Sequence, residues 1–107
     1  MEKEKLKELL QDVSRVKIAV LGDFCLDAYW FIDEAKSEVS IETGQYTRPV
    51  KKQHYSLGGA GNVTANLVAM GVKDVRAFGV IGTDPFGYEM AKIMEASGIN
   101  SKKLITQ

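Results

Sequence analysis

The 107-residue chain is predicted to form an α/β fold, a mostly parallel sheet with flanking helices. Short apolar segments of strand length alternate with longer segments of helical period, which is the pattern of βαβ units. Several of these segments end at a glycine, and no internal repeat or low-complexity tract interrupts the alternation. The predicted strands are residues 16–21, 75–81 and 103–106, and the predicted helices are residues 3–14, 62–70 and 84–97.

The first predicted helix and strand follow from periodicity and composition. Apolar residues recur at helical spacing in residues 3–14, at Leu6, Leu9, Leu10 and Val13. Residues 16–21 are nearly all apolar, which is typical of a strand covered by helices on both faces.

Two further strand-like segments interrupt the helix–strand alternation. Residues 28–32 are aromatic and apolar, whereas residues 46–55 are polar and contain Pro49. Because proline donates no ladder hydrogen bond, the second segment is expected at a sheet edge. Residues 33–45 between them are polar and are predicted to form a loop. The two segments together predict a small β flap that leaves the main sheet.

Glycine, aspartate and proline mark the ends of the two later helices. Gly71 is placed to end the second helix as its C′ residue, and Gly98 to end the third. Asp84 suits the N-cap of the third helix and Pro85 its first position. The segment from Gly79 to Gly87 is therefore explained as strand, turn and capped helix.

Composition excludes several classes of function. Fourteen basic residues balance fourteen acidic ones, so the chain lacks the positive field of a nucleic-acid-binding protein. No apolar run approaches the roughly 20 residues of a membrane span, and no signal-peptide core follows the charged N-terminus. The single cysteine, Cys25, fits a cytoplasmic location and is expected to be buried. With only Cys25 and His54 as soft ligands, no zinc site is expected.

The first candidate site residue is Asp27, in the segment just beyond the end of the first parallel strand. Ligands of open α/β sheets bind at the carboxyl ends of strands. A carboxylate there can accept hydrogen bonds from two neighbouring hydroxyls of a sugar. The alternative is that Asp23 and Asp27 only cap a turn or helix.

The second candidate is the glycine-rich turn from Gly58 to Asn62. Successive glycines let backbone N–H groups approach a ligand, and Asn62 can offer both an amide donor and an acceptor. The alternative is a tight turn with Asn62 as an ordinary N-cap. No Gly-Lys-Ser/Thr follows, so this is not a P-loop, although Gly59, Gly61 and Thr64 come close to a dinucleotide-binding fingerprint.

The order and spacing of these segments resemble the ribokinase-like (PfkB-type) carbohydrate kinase family. The likeness is carried by Gly-Asp and a second Asp after the first strand, by the Gly-Gly-Ala-Gly-Asn turn, and by the Gly-x-Asp-x-x-Gly segment at 82–87. It covers residues 16–106 and corresponds to the N-terminal part of that fold. Residues 22–30 and 37–42 are most similar to heptose-phosphate kinases.

The resemblance implies a small β lid over the sugar, with its strands near 28–32 and 46–55, and a homodimer formed through that lid. It also implies that Asp27 binds sugar hydroxyls, that Gly58 and Gly59 present backbone groups to the sugar, and that Asn62 contacts it. ATP and Mg²⁺ would be the cofactors of the full-length enzyme. The family's base lies in a downstream Gly-Ala-Gly-Asp segment that does not occur here, so this chain alone is expected to be inactive.

Some residues and functions remain open at this point. Residues 29–31 (Tyr-Trp-Phe) could stack on a sugar, contact a second copy or pack into the core. Lys51 and Lys52 could meet a substrate phosphate or form a solvated edge, and His54 is expected to be solvated. Besides a kinase, the sequence allows a non-catalytic sugar-binding or dimerisation module, or a small nucleotide-binding Rossmann domain.

Overall fold

A computed structural model describes all 107 residues and contains three helices and five strands. A short 3₁₀ turn at Glu34–Lys36 interrupts the long connection between the second and third strands. In chain order the elements are α1 (Lys3–Val13), β1 (Lys17–Leu21), β2 (Phe24–Ile32), β3 (Val50–Gly59), α2 (Ala60–Ala69), β4 (Asp74–Ile81), α3 (Pro85–Ala96) and β5 (Asn100–Thr106).

The main sheet is parallel, with strand order β1-β4-β5, which confirms the predicted α/β class. Both crossovers step in the same direction, and right-handed crossovers of this kind place their helices on the same face of the sheet. Helices α2 and α3 accordingly pack against one buried face. The core there consists of Phe24, Leu57, Ala77, Ile81, Met90, Met94 and Ile99.

The opposite face of the parallel sheet is not covered by helices, contrary to the expectation from the apolar first strand. Leu21 is 84% exposed, Ile105 65% and Val80 51%. Helix α1 buries none of its side chains. The radius of gyration is 19.5 Å, against about 13 Å for a typical compact domain of this size. None of the helices is both long and apolar enough to span a bilayer.

Strands β2 and β3 form a separate antiparallel pair, here called the ribbon. Strand β2 begins at Phe24, four residues before the predicted start, and β3 runs from Val50 to Gly59 rather than over 46–55. The later start of β3 has a physical reason, because Pro49 cannot donate to the ladder. Pro49 lies just before the strand, where its carbonyl accepts a hydrogen bond from Asp33 N at 2.8 Å.

The predicted helix ends are confirmed, except for the start of α2. Gly71 and Gly98 have φ of +99° and +75°, and each lies at the C′ position of a Schellman motif. Asp84 caps α3 by accepting a hydrogen bond from Gly87 N at 2.8 Å. Helix α2 begins at Ala60, so Asn62 is its third residue and not its N-cap.

Candidate functional site

The ribbon leaves the main sheet at the carboxyl end of β1, where backbone hydrogen bonds hold three elements together. Gly22 N donates to Phe78 O of β4 at 3.2 Å. Asp23 O accepts a hydrogen bond from Ala60 N, the first residue of α2, at 2.8 Å. The start of the ribbon, the end of β1 and the start of α2 therefore meet at one place, the edge at which α/β proteins bind ligands.

Gly79 on β4 allows the chain to cross over the sheet at this point. A Cβ atom placed on Gly79 would lie 2.6 Å from Gly22 O and 2.7 Å from a ring carbon of Phe24. Both distances are shorter than real Cβ contacts, so a larger residue here would displace the root of the ribbon.

Cross-strand pairing decides which residues share a face of the ribbon. Asp27 is paired with Ser56 and Cys25 with Gly58, and directly paired residues of antiparallel strands lie on one face. The other face carries Phe24 and Leu57, which belong to the core. The first face, here called the Asp27 face, consists of Cys25, Asp27, Tyr29 and Phe31 from β2 and Lys52, His54, Ser56 and Gly58 from β3.

The Asp27 carboxylate lies in the space that a side chain at Gly58 would fill. A Cβ atom placed on Gly58 would lie 2.7 Å from Asp27 Oδ1 and 3.0 Å from Cγ and Oδ2. Asp27 is exposed, lies within β2, and takes part in none of the five ion pairs of the chain. It therefore caps neither a turn nor a helix, and its oxygens are free to accept hydrogen bonds from a ligand.

Gly59 and Asn62 lie at the junction of β3 with α2, directly after Gly58 in the chain. Gly59 has φ +53°, and a Cβ atom there would lie 2.5 Å from Asp23 O, so glycine is required on both counts. Asn62 is exposed on the first turn of α2. The structure thus brings Asp27 and Gly58 into contact. Gly59 and Asn62 follow Gly58 on the turn into α2, without a hydrogen bond between Asn62 and Asp27. Because β3 is antiparallel to β2, this turn does not follow a parallel strand as a Rossmann fingerprint does.

Two residues of the Asp27 face differ from the sequence prediction. Cys25 is exposed, not buried, because it is paired with Gly58, which has no side chain to cover it. Ser56 is paired with Asp27 and was not identified as a candidate. Because the predicted strand ends at residue 55, the alternation of side chains along β3 does not identify Ser56 as a site residue from the sequence alone.

The three consecutive aromatic residues of β2 divide between the two faces of the ribbon. Tyr29 and Phe31 lie on the Asp27 face and Trp30 on the other, since side chains alternate along a strand. Tyr29 is 51% exposed, Trp30 55% and Phe31 47%, so none of the three packs into the core. They are available for contacts with a ligand or a second chain.

Asp74 and Arg76 form a bidentate ion pair at the opposite, amino-terminal end of β4. The guanidinium donates from Nε and Nη2 to the two carboxylate oxygens at 2.9 and 3.0 Å. These hydrogen bonds hold the pKa of Asp74 below its ordinary value and raise that of Arg76. Because the pair lies at the end of the sheet away from Asp27, we assign it a structural role.

The sequence of this chain is similar to those of known carbohydrate kinases. The model of the pfkB family of carbohydrate kinases matches residues 16–107. The bifunctional protein HldE of Hydrogenovibrio crunogenus is 36% identical over 86% of this chain and 18% of its own length. The D-beta-D-heptose 7-phosphate kinase of Bordetella bronchiseptica is 31% identical over 83% of this chain and 28% of its own.

Solved structures show the same architecture. A carbohydrate kinase from Agrobacterium tumefaciens superposes with a TM-score of 0.63 and 26% identity over 85% of this chain and 27% of that one. The fructokinase of Halothermothrix orenii gives a TM-score of 0.56 at 22% identity, covering 86% of this chain and 30% of its own, and supports the fold alone. The chain thus spans less than a third of these relatives. It has the ribokinase-like fold and belongs to the pfkB family of carbohydrate kinases.

Proposed function

We propose that the protein is an ATP-dependent kinase for a hydroxyl of a sugar or sugar phosphate, and that these residues form its sugar-binding part. The observation that carries the proposal is the Asp27 carboxylate, exposed and outside any ion pair, held over Gly58 at the carboxyl edge of the sheet. The names of the relatives, a heptose 7-phosphate kinase among them, support a sugar or sugar phosphate as the acceptor.

In this proposal Asp27 accepts hydrogen bonds from two adjacent sugar hydroxyls. Hydrogen bonds to an ionised acceptor are about twice as strong as neutral ones and fix the orientation of the ligand. The amide of Asn62 and the exposed backbone of Gly59 add polar contacts from the start of α2. Their common contribution is orientation, which lowers the entropic part of the barrier to phosphoryl transfer.

The groups that carry out the transfer itself are assigned to sequence outside these 107 residues. No three His, Cys, Asp or Glu side chains come close enough to hold a metal ion. Nor does the sequence contain a P-loop or the family's Gly-Ala-Gly-Asp segment. In this proposal ATP, Mg²⁺ and the catalytic base belong to the whole enzyme, and we expect the present chain alone to be inactive.

We further propose that the ribbon is the lid of the sugar site and that it also joins two copies of the protein in the cytoplasm. Trp30 supports the second role, because it is 55% exposed on the face opposite Asp27 and can meet a second chain while the Asp27 face holds the sugar. Sedimentation of the chain at high concentration tests this. Self-association that Trp30→Ala abolishes is the expected result, and a strictly monomeric species would contradict it.

An activity assay tests the kinase proposal directly. The complete gene product is incubated with ATP, Mg²⁺ and a panel of sugars and sugar phosphates that includes heptose 7-phosphate. Transfer to one of them, with a large loss of kcat/KM and little loss of stability in Asp27→Asn, is the expected result. Unchanged kinetics in that variant would remove Asp27 from the site. If no sugar is phosphorylated but sugars still bind, a non-catalytic binding module is the better description.

A further inference from the structure

Four side chains continue the Asp27 face toward the tip of the ribbon. Tyr29 is paired with His54 and Phe31 with Lys52, so all four lie on the side of Asp27. The rings of Tyr29 and His54 have their centroids 6.0 Å apart, and Lys52 Nζ lies 5.9 Å from the centroid of Phe31. All four side chains are exposed. We call Tyr29, Phe31, Lys52 and His54 the outer row.

The outer row begins one cross-strand pair beyond Asp27. Successive pairs on one face are about 7 Å apart, so His54 lies about that distance from Asp27 along the ribbon. Lys52 lies one pair farther out, and its flexible stem lets the ammonium group reach back toward the row. A ligand of sugar size held at Asp27 is therefore within reach of His54, and of Lys52 through its flexible stem.

The chemistry of the outer row is suited to an anion. Lys52 offers an ammonium group and His54 a ring N–H donor, and no acidic side chain belongs to the row. Tyr29 and Phe31 place apolar ring surface beside these donors, against which the carbon atoms of a sugar can pack. Lysine is a common ligand of phosphate, which it binds as a point charge.

We propose that Lys52 and His54 form a binding site for the phosphate group of a phosphorylated sugar whose ring hydroxyls are held by Asp27. This inference rests on the proposed sugar site and makes the acceptor a sugar monophosphate in preference to the neutral sugar. It assigns selectivity to two residues of the ribbon that are distinct from those that bind the ring.

The test compares neutral and phosphorylated sugars on the same protein. The 107-residue chain is titrated with heptose and heptose 7-phosphate, and with fructose and fructose 6-phosphate, while amide shifts are followed by NMR. We expect the phosphorylated member of at least one pair to bind roughly tenfold more tightly, as charge-assisted contacts permit. The double variant K52A/H54A should abolish this advantage and leave the Kd of the neutral sugar unchanged.

Two control variants separate a specific site from a general effect of charge or of the ribbon. Lys103→Ala removes one positive charge from β5, on the separate parallel sheet, and Gln53→Ala shortens a side chain on the opposite face of the ribbon. Neither should change the preference for the phosphorylated sugar.

The outcomes for the two proposals are distinguishable. Equal affinities for both members of every pair, or an equal loss for both in K52A/H54A, would overturn the phosphate site while leaving the sugar site intact. If no sugar or sugar phosphate binds, or if Asp27→Asn has no effect on binding, the proposed sugar site fails and the phosphate site with it.

Discussion

Gly58→Ala offers a direct test of the contact that defines the candidate site. The new Cβ atom would lie 2.7 Å from Asp27 Oδ1 and 3.0 Å from the other two carboxyl atoms, where ordinary contacts begin at 3.4 Å. The carboxylate must therefore retreat by about 0.7 Å or change rotamer. Because Asp27 is exposed and can move, the free energy of unfolding should fall by only about 0.5–1.5 kcal/mol.

The effect of Gly58→Ala on sugar affinity should be larger than this cost in stability suggests. Hydrogen bonds to a charged group contribute about 1.5–3 kcal/mol, and 1.4 kcal/mol corresponds to a tenfold change in Kd. A displaced carboxylate loses part of two such bonds, so we expect sugar binding about tenfold weaker. Urea unfolding and an NMR titration of the same samples measure the two quantities.

A double-mutant cycle shows whether the effect passes through Asp27. In an Asp27→Ala background the colliding atoms are gone, so Gly58→Ala should cause no further loss of sugar affinity. Gly71→Ala is the matched control, because its φ of +99° makes alanine costly in stability at a position far from the site. Additive losses in the cycle, or an equal loss of affinity in Gly71→Ala, would refute the reasoning.

Three predictions concern stability. Asp84→Ala should cost about 1 kcal/mol in urea unfolding, since it removes the acceptor of the Gly87 N–H, whereas Asp84→Asn should retain most of the stability; equal losses would argue against a capping role. Met94→Ala should cost about 2–5 kcal/mol because Met94 is fully buried in the core, and a loss below 1 kcal/mol would mean that the core collapses around it. The hydrogen bonds from Arg76 lower the pKa of Asp74 below its ordinary value of 3.8. The ion pair therefore stabilises the folded protein fully at pH values above 3.8. This stabilisation is lost as the pH falls through the lower pKa that Asp74 has in the folded protein. An NMR titration of the Asp74 carboxyl should show the low pKa, and Arg76→Ala should restore the ordinary one; an unchanged value in Arg76→Ala would contradict the assignment.

The features that could be predicted from the sequence are those that depend on local interactions. Asp84 and Pro85 predicted the start of α3, and Gly71 and Gly98 predicted the ends of α2 and α3, because capping depends on the residues of a single turn. The alternation of apolar strands with helical segments predicted the parallel sheet. The order of the glycine-rich and acidic segments indicated the family, which the match over residues 16–107 confirms.

The features that could not be predicted from the sequence are those that depend on pairing between distant residues. Residues 24–27 and 56–59 lie outside the strands that the sequence predicts, and only their pairing with each other extends both strands and places Asp27 over Gly58. The same register assigns Tyr29 to the Asp27 face and Trp30 to the other, and it leaves Cys25 exposed. A shift of one residue exchanges the two faces of a strand, so local sequence could not decide which side chains share the site.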